Sequence, residues 1–219
     1  MADVNALAVV GDPRSPEAHA YRALLAGVKF ASVDRSLRSL LVTSAGAEDD
    51  KAAVAANLAA TFAQNGCRVA LVDCDFRRPS QHHLFGLSNE RGLSTLALAG
   101  EDEPTLLPTG VANLRVLPAG PLPPGAVDVL GLPRVQAALQ RLQESVDLVV
   151  YDAPPVLFVA DTAALARRVD GVVVVFRAGK SKREQASKAQ ALLAKAGANV
   201  LGAVLTNAKV DRSVREYYG

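Results

Sequence analysis

One lysine and three aspartates are the residues of this chain whose types and spacing best suit chemistry. Lys51 closes the segment Thr43-Ser44-Ala45-Gly46-Ala47-Glu48-Asp49-Asp50-Lys51, between an apolar run that predicts a strand and a pattern that predicts a helix. Strand, small-residue loop, lysine and helix form the layout of a phosphate-binding loop, in which backbone N–H groups and an ammonium face an anion. The P-loop pattern also asks for Gly before the lysine and Ser or Thr after it, and here Asp50 and Ala52 stand there. Asp73 and Asp75 alternate at the end of a second apolar run, where two carboxylates can bracket a Mg²⁺ bound to phosphates. The same pair also suits a helix cap or a turn. Asp152 closes a third run, the Walker B arrangement in which an aspartate orients metal or attacking water. Capping the turn before Pro154 is its plainer use. Three aspartates on strand ends beside a loop lysine argue together for a site more strongly than each does singly.

These residues need elements to hold them. Continuous apolar runs predict strands at Leu40–Thr43, Val69–Asp73, Arg115–Leu117, Leu148–Tyr151, Val172–Arg177 and Val200–Thr206. Runs without alternation fit strands buried on both faces, as in a parallel sheet. Helical patterns fall between them at Pro16–Val33, Lys51–Asn65, Arg134–Glu144, Thr162–Arg168 and Ser181–Ala196. The alternation predicts an α/β, doubly wound and mainly parallel sheet flanked by helices. Ligands in such folds sit beyond the carboxyl ends of the strands, where all four candidates fall. The Pro-rich stretch Gly100–Gly131 reads as an ordered excursion because it contains a strand and leads into a helix. With no repeat and no visible boundary, residues 1–219 read as one domain, with 1–14 as lead-in and 210–219 as tail.

Composition narrows the function classes. The net charge is +2 and half of the chain is apolar, so neither duplex DNA nor direct membrane insertion is expected as a partner. Aromatics make up 5% and Trp is absent, which argues against a stacking platform for single-stranded nucleic acid. No apolar run is long enough for a membrane span, and Met1–Val10 lacks the basic residues of a secretory signal. Cys67 and Cys74 flank one predicted strand, roughly 23 Å apart when extended. That is far outside disulfide reach, so reduced thiols in a cytoplasmic setting are expected. His82 and His83 are adjacent and make a poor bidentate metal pair. Lys180, Lys182 and Arg183 suit a solvated face, with an acidic partner as the sharper alternative.

From Ser15 to Gly219 the chain resembles the bacterial tyrosine kinases (BY-kinases) of capsular and exopolysaccharide biosynthesis, P-loop proteins related to the MinD and ParA ATPases. The resemblance is carried by Ala20-Tyr21-Arg22-Ala23-Leu24, Asn57-Leu58-Ala59, Asp73-Cys74-Asp75-Phe76-Arg77-Arg78-Pro79 and Gly92-Leu93-Ser94. Leu117-Pro118-Ala119-Gly120-Pro121-Leu122-Pro123-Pro124, Asp152-Ala153-Pro154-Pro155 and the terminal Tyr217-Tyr218-Gly219 complete it. The resemblance implies ATP and Mg²⁺ as cofactors. Gly46, Ala47, Glu48, Asp49, Asp50, Lys51, Ala52 and Ala53 would form the phosphate loop, with Lys51 on the phosphates. Asp73, Asp75 and Asp152 would serve Mg²⁺ and activate a tyrosine, and Tyr217 and Tyr218 would be phosphoacceptors. It further implies a membrane polysaccharide co-polymerase as partner, fused or separate, and hence a cytoplasmic place beside the membrane.

The departures from the family pattern are chemical, because the loop keeps its length. Glu48 and Asp50 occupy glycine positions, and Ala52 replaces the hydroxyl that would ligate Mg²⁺. Loop glycines permit positive φ and close approach to phosphate; Asp tolerates that region moderately and Glu less. The run predicts three acids crowding Lys51. A carboxylate about 6 Å from a phosphate charge at an effective dielectric near 20 repels by roughly 3 kcal/mol, about a hundredfold in affinity. The family's ring-building Glu-x-x-Arg-x-x-Arg pattern falls on His19, Arg22 and Leu25, with only Arg22 retained. A regulator of polysaccharide polymerisation and export with impaired or lost ATP binding is therefore expected. A working autokinase and a MinD- or ParA-like positioning ATPase are the alternatives.

Overall fold

The computed structural model describes residues 7–34, 36–47, 49–98, 103–121 and 128–209. Its centre is a seven-stranded sheet in the order β3-β4-β2-β5-β1-β6-β7. The strands are β1 (Ser39–Ser44), β2 (Val69–Asp73), β3 (Leu107–Pro108), β4 (Leu114–Leu117), β5 (Leu148–Asp152), β6 (Gly171–Arg177) and β7 (Val200–Thr206). All neighbours run parallel except β3, which pairs antiparallel with β4. The fold is thus the doubly wound α/β architecture expected from the apolar runs.

Successive side chains of a strand point to opposite faces, and the core divides accordingly. Leu40, Val42, Leu71, Val150 and Val173 enter one apolar layer; Leu41, Ala70, Val72, Val149 and Val172 enter the other. Helices α2 (Pro16–Ala31) and α3 (Lys51–Gln64) cover the first face. The second is covered by α5 (Leu93–Leu98), α6 (Pro133–Ser145) and α8 (Arg183–Ala196). Short α1 (Ala8–Gly11), α4 (Gln81–Phe85) and α7 (Ala160–Ala166) complete the helices.

Helix α3 positions the site. Every residue from Val54 to Ala63 is buried, and its run of alanines lets it lie against the sheet below Lys51. Its Asn57 accepts from the Val9 N–H, and Gln64 donates to the Val9 carbonyl. The stretch expected as a lead-in is therefore part of the fold from Leu7 onward, with Leu7 and Val9 in the core. Helix α2 starts where Ser15 caps the Ala18 N–H with Pro16 at the first helical position.

Candidate functional site

The carboxyl ends of β1, β2 and β5 meet at one edge of the sheet, with Asp73 and Asp152 directly opposite each other in register. The β1–α3 loop lies beside them. Asp50 adopts the left-handed conformation at φ 56°, so an aspartate supplies the positive φ that turns the chain into α3. Glu48 lies outside the described residues.

Lys51 reaches between two of the three aspartates. Its Nζ is 2.9 Å from Asp75 Oδ2 and 2.9 Å from Asp152 Oδ1. Asp152 Oδ2 accepts from Gln81 Nε2, which also donates to the Ala52 carbonyl. Asp73 is bonded to backbone alone: Oδ1 accepts from the Asp75 N–H, and Oδ2 from those of Ser80 and Gln81. Asp75 Oδ1 likewise holds the turn through the Arg77 and Arg78 N–H groups. The turn and cap roles open for Asp73 and Asp75 in the sequence are thus present, whereas the Asp152 side chain meets those of Lys51 and Gln81.

Burial alone disfavours the Lys51 ammonium, but the charges of Asp152 and Asp75 and their hydrogen bonds outweigh it and hold its pKa well above the ordinary lysine range. Burial, then the Asp152 charge, pushes Asp73 up to about 7 against its three backbone donors. The Cys74 thiol between these strands is pushed up by burial, consistent with a structural role. Tyr21 is raised to about 12 by burial and by the nearby charges of Asp50 and Glu17.

The expected crowding of acids around Lys51 is corrected at two positions. Asp49 Oδ2 accepts from the Gly46 N–H at 2.7 Å, and its Oδ1 accepts from Ser181 Oγ at 2.6 Å. Asp50 pairs with Arg177 at 3.0 Å and accepts from Thr206 Oγ1. Asp50 is thus bonded to donors from the ends of β6 and β7, and Asp49 to its own loop and to the turn between β6 and α8. Gln81, Arg177, Ser181 and Thr206 carry no motif that would have marked them from sequence. They are found only because the topology brings them beside the loop.

A cavity of about 600 Å³ opens at this edge, lined by Ala47, Asp50, Lys51, Ala52 and Ala53 on the loop side and by Asp75 after β2. Arg77, Arg78, His83, Pro154, Pro155 and Phe158 form much of its remaining wall. The size is that of a small-molecule site.

This geometry has known counterparts. Residues 38–211 match the ParA family model described as NUBPL iron-transfer P-loop NTPase. Tyrosine-protein kinase YwqD of Bacillus subtilis is 37% identical over 95% of this chain and 89% of its own. The chain belongs to the bacterial tyrosine kinase family. The crystal structure of the chimerical protein CapA2B2 superposes on this BY-kinase with a TM-score of 0.85 at 31% identity, covering 94% of this chain and 91% of the other. The kinase domain of Escherichia coli tyrosine kinase ETK gives 0.85 at 33% identity over 94% and 82%. In this member of the family, the interface candidates on α2 divide. His19 and Arg22 reach the surface, Arg22 donating to the Pro13 carbonyl, whereas Leu25 is buried in the core. Tyr217 and Tyr218 lie outside the described residues.

Proposed function

We propose that this BY-kinase acts as a protein-contact regulator of capsular or exopolysaccharide polymerisation and export, with ATP binding impaired or lost. One observation carries the reading: the side-chain atoms that would meet MgATP already hold partners within the protein. The Lys51 ammonium is bonded to Asp75 and Asp152, both Asp73 oxygens accept backbone N–H groups, and Ala52 brings no hydroxyl to the first turn of α3. Mg²⁺ at a phosphate site is held by one or two carboxylates with phosphate oxygens and waters, so Asp75 and Asp152 would have to give up Lys51 in part to hold it. Asp50 repels a phosphate less than a bare carboxylate would, because Arg177 sits on it. Asp49 is bonded to two neutral donors, the Gly46 N–H and the Ser181 hydroxyl.

A membrane polysaccharide co-polymerase is the proposed partner, holding the protein on the cytoplasmic side of the membrane. No helix among the described residues is long and apolar enough to cross one. The second reading, an autokinase using MgATP, is favoured by the open cavity and by the retained Lys51, Asp75 and Asp152.

Titration with a fluorescent ADP analogue and Mg²⁺ separates the two. No saturation at micromolar protein and ligand is expected, and tight binding there supports the autokinase instead. The triple variant E48G/D50G/A52S, which restores the glycines and the hydroxyl, is expected to gain binding.

A further inference from the structure

We propose that Asp49 and Asp50 form a latch, in which the protein's own carboxylates hold the β1–α3 loop closed without a bound anion. The proposal rests on the reading of the site given above and adds how its loop is regulated. Asp49 is only 3% exposed, and a buried carboxylate is tolerated only with hydrogen-bond partners. Two are present: the Gly46 N–H at 2.7 Å within the loop and the Ser181 hydroxyl at 2.6 Å in the β6–α8 turn. Ser181 Oγ in turn accepts from the Arg177 N–H at 2.7 Å. Backbone N–H, hydroxyl and carboxylate thus form one chain polarised in a single direction, the arrangement in which hydrogen bonds strengthen one another.

Asp50 makes the second attachment. Its left-handed backbone turns the carboxylate outward to Arg177 at 3.0 Å and to Thr206 Oγ1 at 3.2 Å. Two adjacent loop residues therefore fasten the start of α3 to the ends of β6 and β7 and to the β6–α8 turn, which lie more than a hundred residues away in sequence. Glycine at 50, or alanine at 49, would offer none of these acceptors. In a phosphate loop a backbone N–H waits for an anion; here the Gly46 N–H already has one, and the chain supplies it.

The test is a double-mutant cycle on the full chain without nucleotide, using Asp49→Ala and Ser181→Ala, read by amide hydrogen exchange across the loop. Each single change should speed exchange from Gly46 to Lys51 by about tenfold, the scale of one hydrogen bond to a charged group. The double variant should exchange no faster than the quicker single one. Unchanged exchange in S181A, or effects that multiply in the double variant, overturns the latch. Should D49A fail to fold, S181A decides alone, since it removes one hydroxyl at a half-buried turn. Micromolar nucleotide binding by the wild type would sink the binding-deficient reading through a separate observable. The latch stands or falls on exchange.

Discussion

Asp73 and Asp152 are fully buried and lie side by side on β2 and β5, so burial and then the neighbouring Asp152 charge disfavour ionisation of Asp73. Lys51 is bonded to Asp152 and not to Asp73, which is left with neutral backbone donors and a pKa raised to about 7. The folded chain therefore keeps the Asp73 proton over a range in which an unfolded aspartate, with a pKa near 4, has released it. The stability linked to that proton is complete below about pH 4 and is lost as pH rises through about 7. Urea unfolding of the wild type and of Asp73→Asn, in buffer free of divalent cations, should show this as a difference. Asn does not titrate, so the wild type should lose stability relative to the variant as pH rises across that window. A constant difference would mean that Asp73 is ionised throughout the window.

Two segments that carried the family resemblance meet as packed elements, which gives their glycines a physical reason. The Leu93 and Ser94 N–H groups at the start of α5 donate to the Pro118 and Ala119 carbonyls beyond β4, and Asn89 exchanges two hydrogen bonds with Gly120. A Cβ on Gly92 would come within 2.2 Å of the Pro118 carbonyl oxygen and 2.5 Å of the Gly120 nitrogen, both backbone atoms that cannot swing away. Gly92→Ala should therefore cost about 1–3 kcal/mol, as overpacking does. Gly27→Ala is the control: it lies on the exposed face of α2 with nothing within 4 Å, and should be neutral or stabilising by about 0.5–1 kcal/mol. Denaturant midpoints at unchanged slope decide it. Equal midpoints for the two variants would mean that the Gly92 junction can open without loss.

At the scale of the molecule, six of the seven strands were legible as apolar runs. Burial on both faces imposes such runs on β1, β2 and β5, and β7 keeps one although it is largely exposed. The five longer helices were legible from their helical pattern. What escaped was short: β3 is two residues with one apolar side chain, and α1, α4 and α5 are too brief to establish a helical period. The site was legible as residue types on strand ends. Its pairing was not, because the partners of Asp49 and Asp50 come from β6, β7 and the turn between β6 and α8, where sequence distance hides proximity. Leu25 shows the same limit for assembly. The ring pattern places an arginine there, yet α2 turns this position into the layer shared with α3 and the sheet. Leu25→Arg should therefore not rebuild a ring interface. It should bury an uncompensated charge, lowering stability by about 3–5 kcal/mol in urea unfolding while leaving the sedimentation coefficient of the remaining folded protein unchanged. A variant of undiminished stability that sediments as a larger species would show that this face of α2 can leave the core and build an interface.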